Sequence, residues 1–335
     1  MKKSVKTTII VAALFPILIA FMTGCNRNTP QQNEKIVIGT SRVALLSSFW
    51  IAENKGFFKE EGLNVEVREF ESGRGALQAM LTSESINMCA ASQTPVVSNS
   101  FGRNDFAIIG GTVQSYNDDK VLARLDRGIR EPADLKGKTI GITGRSAGHF
   151  FLGLFLAYHR LQISDIKIID MEAPFLPQAL ADGQVDAIAT WEPFIQKAMK
   201  SMGKKVLVLP SGGMYRKDFY FVARKDFIEK KPEAVRRFLR AIRKGINYLQ
   251  NNRDEAIFIV GKRLNIDREV VDAAWDELRF TLYLDQSIVI SLEDEARWAI
   301  RNNITNAKKV PNYLDYIHSD ALKAVDARAV TMAGK

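Results

Sequence analysis

Cysteine is almost absent from this 335-residue chain, which has only Cys25 and Cys89. Cys25 stands at the end of an N-terminal export signal. Cys89 lies in the apolar run Ile86-Asn-Met-Cys-Ala-Ala91 and reads as a small buried apolar residue. No disulfide framework is expected. Histidine is scarce, with three residues, and no Cys or His spacing matches a zinc site, so neither a metal nor a cofactor is expected. The net charge is +9, yet no basic stretch interleaves with aromatics as a nucleic-acid face does. The densest basic group (Arg236, Arg237, Arg240, Arg243, Lys244) shares one helix and reads as a solvated face. Beyond residue 21 there is no apolar run long enough to span a membrane.

The chain opens with Lys2, Lys3 and Lys6, followed by the apolar run Ile9 to Phe21. Basic start, short apolar stretch and small residues are the order of an export signal. It ends at Met22-Thr-Gly-Cys25, which resembles a bacterial lipobox, where cleavage leaves Cys25 as a lipidated N-terminus. Residues 1–24 are thus expected to be a signal peptide and 25–34 a polar tether. Cleavage removes three lysines and no acid, which lowers the net charge from +9 to +6.

The roughly 300 residues that follow suit two lobes. Strands are expected at 35–40, 63–68, 86–91 and 105–110, alternating with helices at 47–55 and 76–82. The pattern then recurs. Ile36-Val-Ile-Gly-Thr-Ser-Arg42 matches Thr139-Ile-Gly-Ile-Thr-Gly-Arg145, and Ile86-Asn-Met-Cys-Ala matches Val185-Asp-Ala-Ile-Ala at nearly the same offset. Two similarly wound lobes are expected. Lys120-Val-Leu-Ala-Arg124 and Phe219-Tyr-Phe-Val-Ala-Arg224 read as two strands crossing between them. Lobe 1 is placed at 35–119 and 224–335, and lobe 2 at 120–223. From Pro232 the chain is helical, with Val235, Phe238, Leu239, Ile242 and Ile246 on one face.

In such sheets ligands sit beyond the carboxyl ends of strands. Five loops there are rich in glycine and hydroxyl residues: 41–49, 72–75, 92–94, 144–149 and 190–192. Arg42, Arg74 and Arg145 each lie in one of them. Trp191 supplies an apolar wall, and Glu192 can receive an ammonium or orient an arginine. The turn Gly144-Arg-Ser-Ala-Gly148 leads from a strand into a helix. A helix start presents unpaired N–H groups and partial positive charge, so this turn reads as an anion site, with Arg145 adding a full charge. The same residues spell G-x-S-x-G, the nucleophile elbow of α/β-hydrolases. An esterase needs an acid and then a histidine after Ser146; Asp285 or Asp294 and His318 could formally serve. No His-Gly-Gly loop precedes the serine, and the anion site is the simpler account.

Several stretches together carry a family resemblance: Phe49-Trp-Ile-Ala-Glu-Asn-Lys-Gly-Phe-Phe58, Glu61-Gly-Leu-Asn-Val65, Ala133-Asp-Leu-Lys-Gly-Lys138, Ala181-Asp-Gly-Gln-Val-Asp-Ala187 and Trp191-Glu-Pro-Phe194. In this order, after a lipobox, they resemble the nitrate/sulfonate/taurine-type substrate-binding proteins of ABC importers, over about residues 35–305. The resemblance implies a two-lobed α/β periplasmic-binding-protein fold of type II kind, each lobe a mixed sheet flanked by helices, with a helical C-terminal region. It implies a binder, not an enzyme: a cleft between the lobes for a small, anionic organic solute, with a permease and an ATPase as partners, no nucleic acid, a monomer, and a periplasmic or cell-surface location through a lipid on Cys25. Ligand contact falls by resemblance on Ser47, Ser48, Gly73, Ser92, Gln93, Thr94, Ser146, Ala147, His149 and Trp191. The family also takes up heterocycles, and a related branch makes the thiamine pyrimidine with a cysteine-rich cluster that this chain lacks.

Overall fold

The computed structural model describes residues 33–332. The expected signal, Cys25 and most of the tether lie outside the described residues.

Four strands come first: β1 (Glu34–Ser41), β2 (Leu63–Phe70), β3 (Met88–Ser92) and β4 (Phe106–Ser115). Then follow β5 (Asp119–Arg124), β6 (Thr139–Ile142), β7 (Lys167–Asp170), β8 (Ala187–Trp191) and β9 (Val206–Leu209). Last come β10 (Lys217–Arg224) and β11 (Leu278–Tyr283). They make two mixed sheets, ordered β11-β4-β10-β3-β1-β2 and β7-β6-β8-β5-β9. Six helices matter below: α1 (Ser47–Asn54), α2 (Gly73–Thr82), α3 (Gln93–Ser100), α4 (Ala147–Tyr158), α5 (Pro232–Asn251) and α6 (Gln286–Arg301).

The internal repeat is visible in the pairing. β1 runs parallel to β2 and β3, and β6 runs parallel to β7 and β8. The fourth strand of each sheet is antiparallel, β10 beside β3 and β5 beside β8. The two segments ending in Ala-Arg are therefore equivalent in position. They do not cross between sheets, as the sequence suggested. Each lies wholly in one sheet, and the chain passes from one to the other at residues 116–118 and 210–216. The reason is backbone pairing. β10 is buried over nearly its whole length, so its N–H and C=O groups need strand partners on both sides.

Two apolar cores hold the sheets' faces. Around the first, Phe49, Phe58, Phe221 and Phe238 meet, with Phe221 and Phe238 rings 4.9 Å apart. α5 buries the five residues predicted for its apolar face. Its basic face is paired, not merely solvated: Arg240 and Lys244 each lie 2.8 Å from Glu61. α4 is apolar around most of its girth because it is enclosed. It lies in the second core, which α6 also enters. Trp298 of α6 stands edge-on to Phe150 at 5.2 Å. Gly153 makes the room: a Cβ there would lie 2.5 Å from the Trp298 indole nitrogen.

Candidate functional site

The carboxyl ends of β1, β3 and β8 and the starts of α2, α3 and α4 converge on one narrow cleft, whose space free of protein atoms, open solvent included, is about 320 Å³. Close approach is allowed by glycine at two equivalent places. A Cβ on Gly73 would meet Ala91 of β3 at 3.0 Å, and one on Gly148 would meet Ala189 of β8 at 2.9 Å. Glycine thus lets the first turns of α2 and α4 press onto their strands. Each turn then presents N–H groups that have no partner within the helix. Ser72 caps α2, its Oγ accepting from Gly75 N at 3.2 Å.

Of the residues expected at the site, Gly73, Arg74, Ser92, Ser146, Ala147 and Trp191 line this cavity. Others do not. Arg42 is exposed and donates to the Leu264 carbonyl at 3.2 Å. Arg145 is exposed and fronts a separate groove with Asn303 and Thr305. Its backbone is left-handed, with φ 56°, which aims the side chain away from the cavity. Ser47 and Ser48 are fully buried behind it, bonded to the Ala44 carbonyl at 2.6 Å and to Thr112 at 2.7 Å. Gln93 is buried too, with its amide on the Arg216 carbonyl at 2.8 Å. Thr94 is buried beside it, facing Tyr215 and Glu295. His149 packs edge-on against Trp298, and its Nδ1 accepts from Arg145 N at 3.2 Å. Glu192 precedes the helix Phe194–Met202 and accepts from Gln196 N in its first turn at 3.1 Å, with Lys120 3.9 Å away.

Sequence reasoning missed the far wall. Lys217 and Phe219 line the cavity because β10 runs antiparallel to β3, with Phe219 opposite Ser92. Its amino end therefore lies where its neighbours' carboxyl ends lie. The signal was the Ser211-Gly-Gly213 stretch shortly before a strand whose middle, Phe219 to Ala223, is apolar. Val43, Leu45 and Pro95 complete an apolar side.

The charges at the wall are compensated. Lys217 is 3% exposed and lies 2.6 Å from Asp118 and 2.9 Å from Asp119. Burial lowers its pKa, but the two carboxylates outweigh this and hold it above the ordinary lysine value. Its ammonium stands 5.1 Å from the Trp191 ring centroid, in cation–π range. Burial pushes Asp119 up to about 6, against the pull of Lys217. Burial likewise raises Glu192 to about 7, against Lys120, and lowers His149 to about 4. Arg74 donates to the Gly144 carbonyl at 3.0 Å and pairs with Glu172.

No serine hydrolase is assembled here. Ser146 Oγ donates to the Thr143 carbonyl at 2.6 Å, and His149 is engaged by Arg145 N. His318 N bonds the Ile108 carbonyl of the first sheet at 2.9 Å. Nucleophilic attack needs a base within hydrogen-bond reach of the hydroxyl, and among the described residues no histidine bonds Ser146. No group of three or more Cys, His, Asp or Glu among the described residues is placed to hold a metal.

Residues 46–256 match the family described as NMT1/THI5 like. A Bacillus subtilis (strain 168) protein provisionally named as aliphatic sulfonates-binding is 29% identical, over 79% of this chain and 80% of its own. The solved alkanesulfonate-binding protein of Xanthomonas axonopodis pv. citri, bound to MOPS, has the same fold: TM-score 0.73, 20% identity, 90% of this chain and 99% of its own. The desulfurization enzyme DSZB also shares it, with TM-score 0.66, 15% identity, and 88% and 99% covered.

Proposed function

The chain belongs to the NMT1/THI5-like family, and on that premise we propose that it is the solute-binding component of an ABC importer, carrying a small organic anion of sulfonate type. The observation that carries this reading is the composition of one cavity. Three helix starts and the hydroxyls of Ser41, Ser72 and Ser92 supply hydrogen-bond donors, while the Ser146 hydroxyl donates to the Thr143 carbonyl. Trp191, Phe219 and Val43 supply an apolar side, and no carboxylate lines the space. Oxygens that only accept are suited to such a wall, and an apolar tail is suited to the opposite one. The solute contacts are Gly73, Arg74, Ser92, Ser146, Ala147 and Trp191, joined by Ser72 and Lys217.

The protein performs no reaction on its solute. It works by closing the two sheets over it, turning on residues 116–118 and 210–216, and presenting the closed form to a permease with its ATPase. It is a monomer held outside the cytoplasmic membrane by a lipid on Cys25. Calorimetry with alkanesulfonates, taurine and nitrate tests the reading. At least one should bind, and Trp191→Ala should weaken that binding by about tenfold or more. Failure of every anion to bind, or turnover of any of them, would overturn it.

A further inference from the structure

We propose that Arg74 is a positioning residue that latches the second sheet's loops over the cavity, so that the closed arrangement forms before any solute arrives. The proposal rests on the reading of the cavity as a solute site. Arg74 leaves the first turn of α2, which packs on the first sheet. Its Nη1 donates to the Gly144 carbonyl at 3.0 Å, and its Nη2 pairs with Glu172. Both partners belong to loops at the edge of the second sheet, 70 and 98 residues further along the chain.

Both ends of this contact are held rigidly. On the Arg74 side, Ser72 caps the helix and Gly73 is pressed against Ala91. On the other side, Gly144 N donates to Asp170 Oδ1 at 2.7 Å, and Thr143 Oγ1 donates to the Met171 carbonyl at 3.0 Å. The two loops are thereby tied together and present a carbonyl and a carboxylate side by side. A planar guanidinium can bond both at once; an ammonium cannot do so with the same geometry.

The Lys217 contacts differ in kind. Lys217, the first residue of β10, joins Asp118 and Asp119 where the chain passes into β5, so its contacts sit at the crossing between the sheets, close to the turning point. Arg74 joins elements that separate if the sheets part. It also lines the cavity, so releasing it opens the wall. Solute exchange is then paced by how often the latch opens, and affinity is scaled by the closed fraction. The Arg74 and Glu172 side chains are 28% and 44% exposed, so salt screens the contact.

Electron–electron distance measurements test this on the full chain carrying Cys25→Ser, with spin labels at Gln78→Cys and Lys167→Cys, both exposed positions. Native mass spectrometry first verifies that no solute remains. The solute-free protein should show a short-distance population. Arg74→Gln and Glu172→Gln should each raise the open-to-closed ratio by about twofold to fivefold, Arg74→Lys by less. Raising salt from about 0.05 to about 0.5 M should open the parent and leave Arg74→Gln unchanged. A solute-free parent that is already open, or variants with the parent's distances, would overturn the latch. A variant that only melts earlier, with distances unchanged, does the same. The distances need no solute, so failure to find a binding anion leaves this result standing and counts only against the solute reading.

Discussion

Replacing Glu295 with glutamine isolates one buried carboxyl and predicts a specific pH dependence. Glu295 is 2% exposed and accepts from Tyr215 Oη at 3.4 Å. Among the described residues no ion pair reaches it. Burial pushes its pKa from 4.5 up to about 8, with Thr94 and Tyr215 pulling the other way. Between those values the unfolded chain has lost the proton and the folded chain has kept it. The folded state binds more protons, so stability falls as pH rises through the window. One proton is worth about 1.4 kcal/mol per pH unit, and the whole window is worth on the order of 4–5 kcal/mol. Below the unfolded value both states are protonated and the loss vanishes. Glutamine cannot ionise. Urea denaturation at a series of pH values should therefore show the variant gaining on the parent by about 1 kcal/mol per unit between about pH 5 and about pH 8. Glu192 and His149 titrate in both proteins and cancel in the difference; Asp119, whose charge helps to raise Glu295, steepens the difference as it ionises near pH 6. A difference that stays flat with pH would show that Glu295 is already ionised in the folded protein, and would refute the reasoning.

Three further outcomes are expected. Gly153→Ala forces a methyl against Trp298 and should cost about 1–3 kcal/mol in urea denaturation; an unchanged midpoint would show that α4 and α6 are not in contact. Arg145→Ala should leave solute affinity within about twofold by calorimetry, since the side chain faces another groove; a tenfold loss would return Arg145 to the cavity. Cys25→Ser should move the protein from the membrane to the soluble fraction, because stable attachment needs more than one acyl chain; equal partition of both forms would exclude the anchor.

The first ten strands and their order of appearance were legible because apolar residues alternate with turn signals at short range; β11 was not, since the chain from Pro232 was expected to be helical, whereas Leu278–Tyr283 pairs with β4 far back in the chain. The repeat was legible for the same reason, since β1 and β6 need similar residues to be buried in similar sheets. The site was half legible. Glycine and serine at strand ends named Gly73, Ser92 and Ser146, because close approach and donor geometry restrict residue type there. Arg145 misled. Its place in a turn leading into a helix start suggested a full charge facing a bound anion. Instead Arg145 takes the left-handed backbone, and Gly144 is required because the Asp170 carboxylate fills the space where its Cβ would be. Such a long-range steric demand leaves no local trace. Lys217 escaped because strand direction in the sheet is set by pairing partners far along the chain.

The late position of β10 has a consequence for how the chain is made. β10 sits between β3 and β4 in the middle of the first sheet, yet it begins only at Lys217. Until it is synthesised, β3 and β4 each expose an unpaired apolar edge, and the first sheet cannot close. Only the second sheet, built from residues 119–209, has all its strands before then. A polypeptide proposed to be threaded through a membrane before it folds gains from such an arrangement, because the threading machinery meets a chain whose larger sheet is still waiting for its central strand. Moving β10 to the amino end by circular permutation should then speed folding in the cytoplasm and slow export, which pulse-chase fractionation can read.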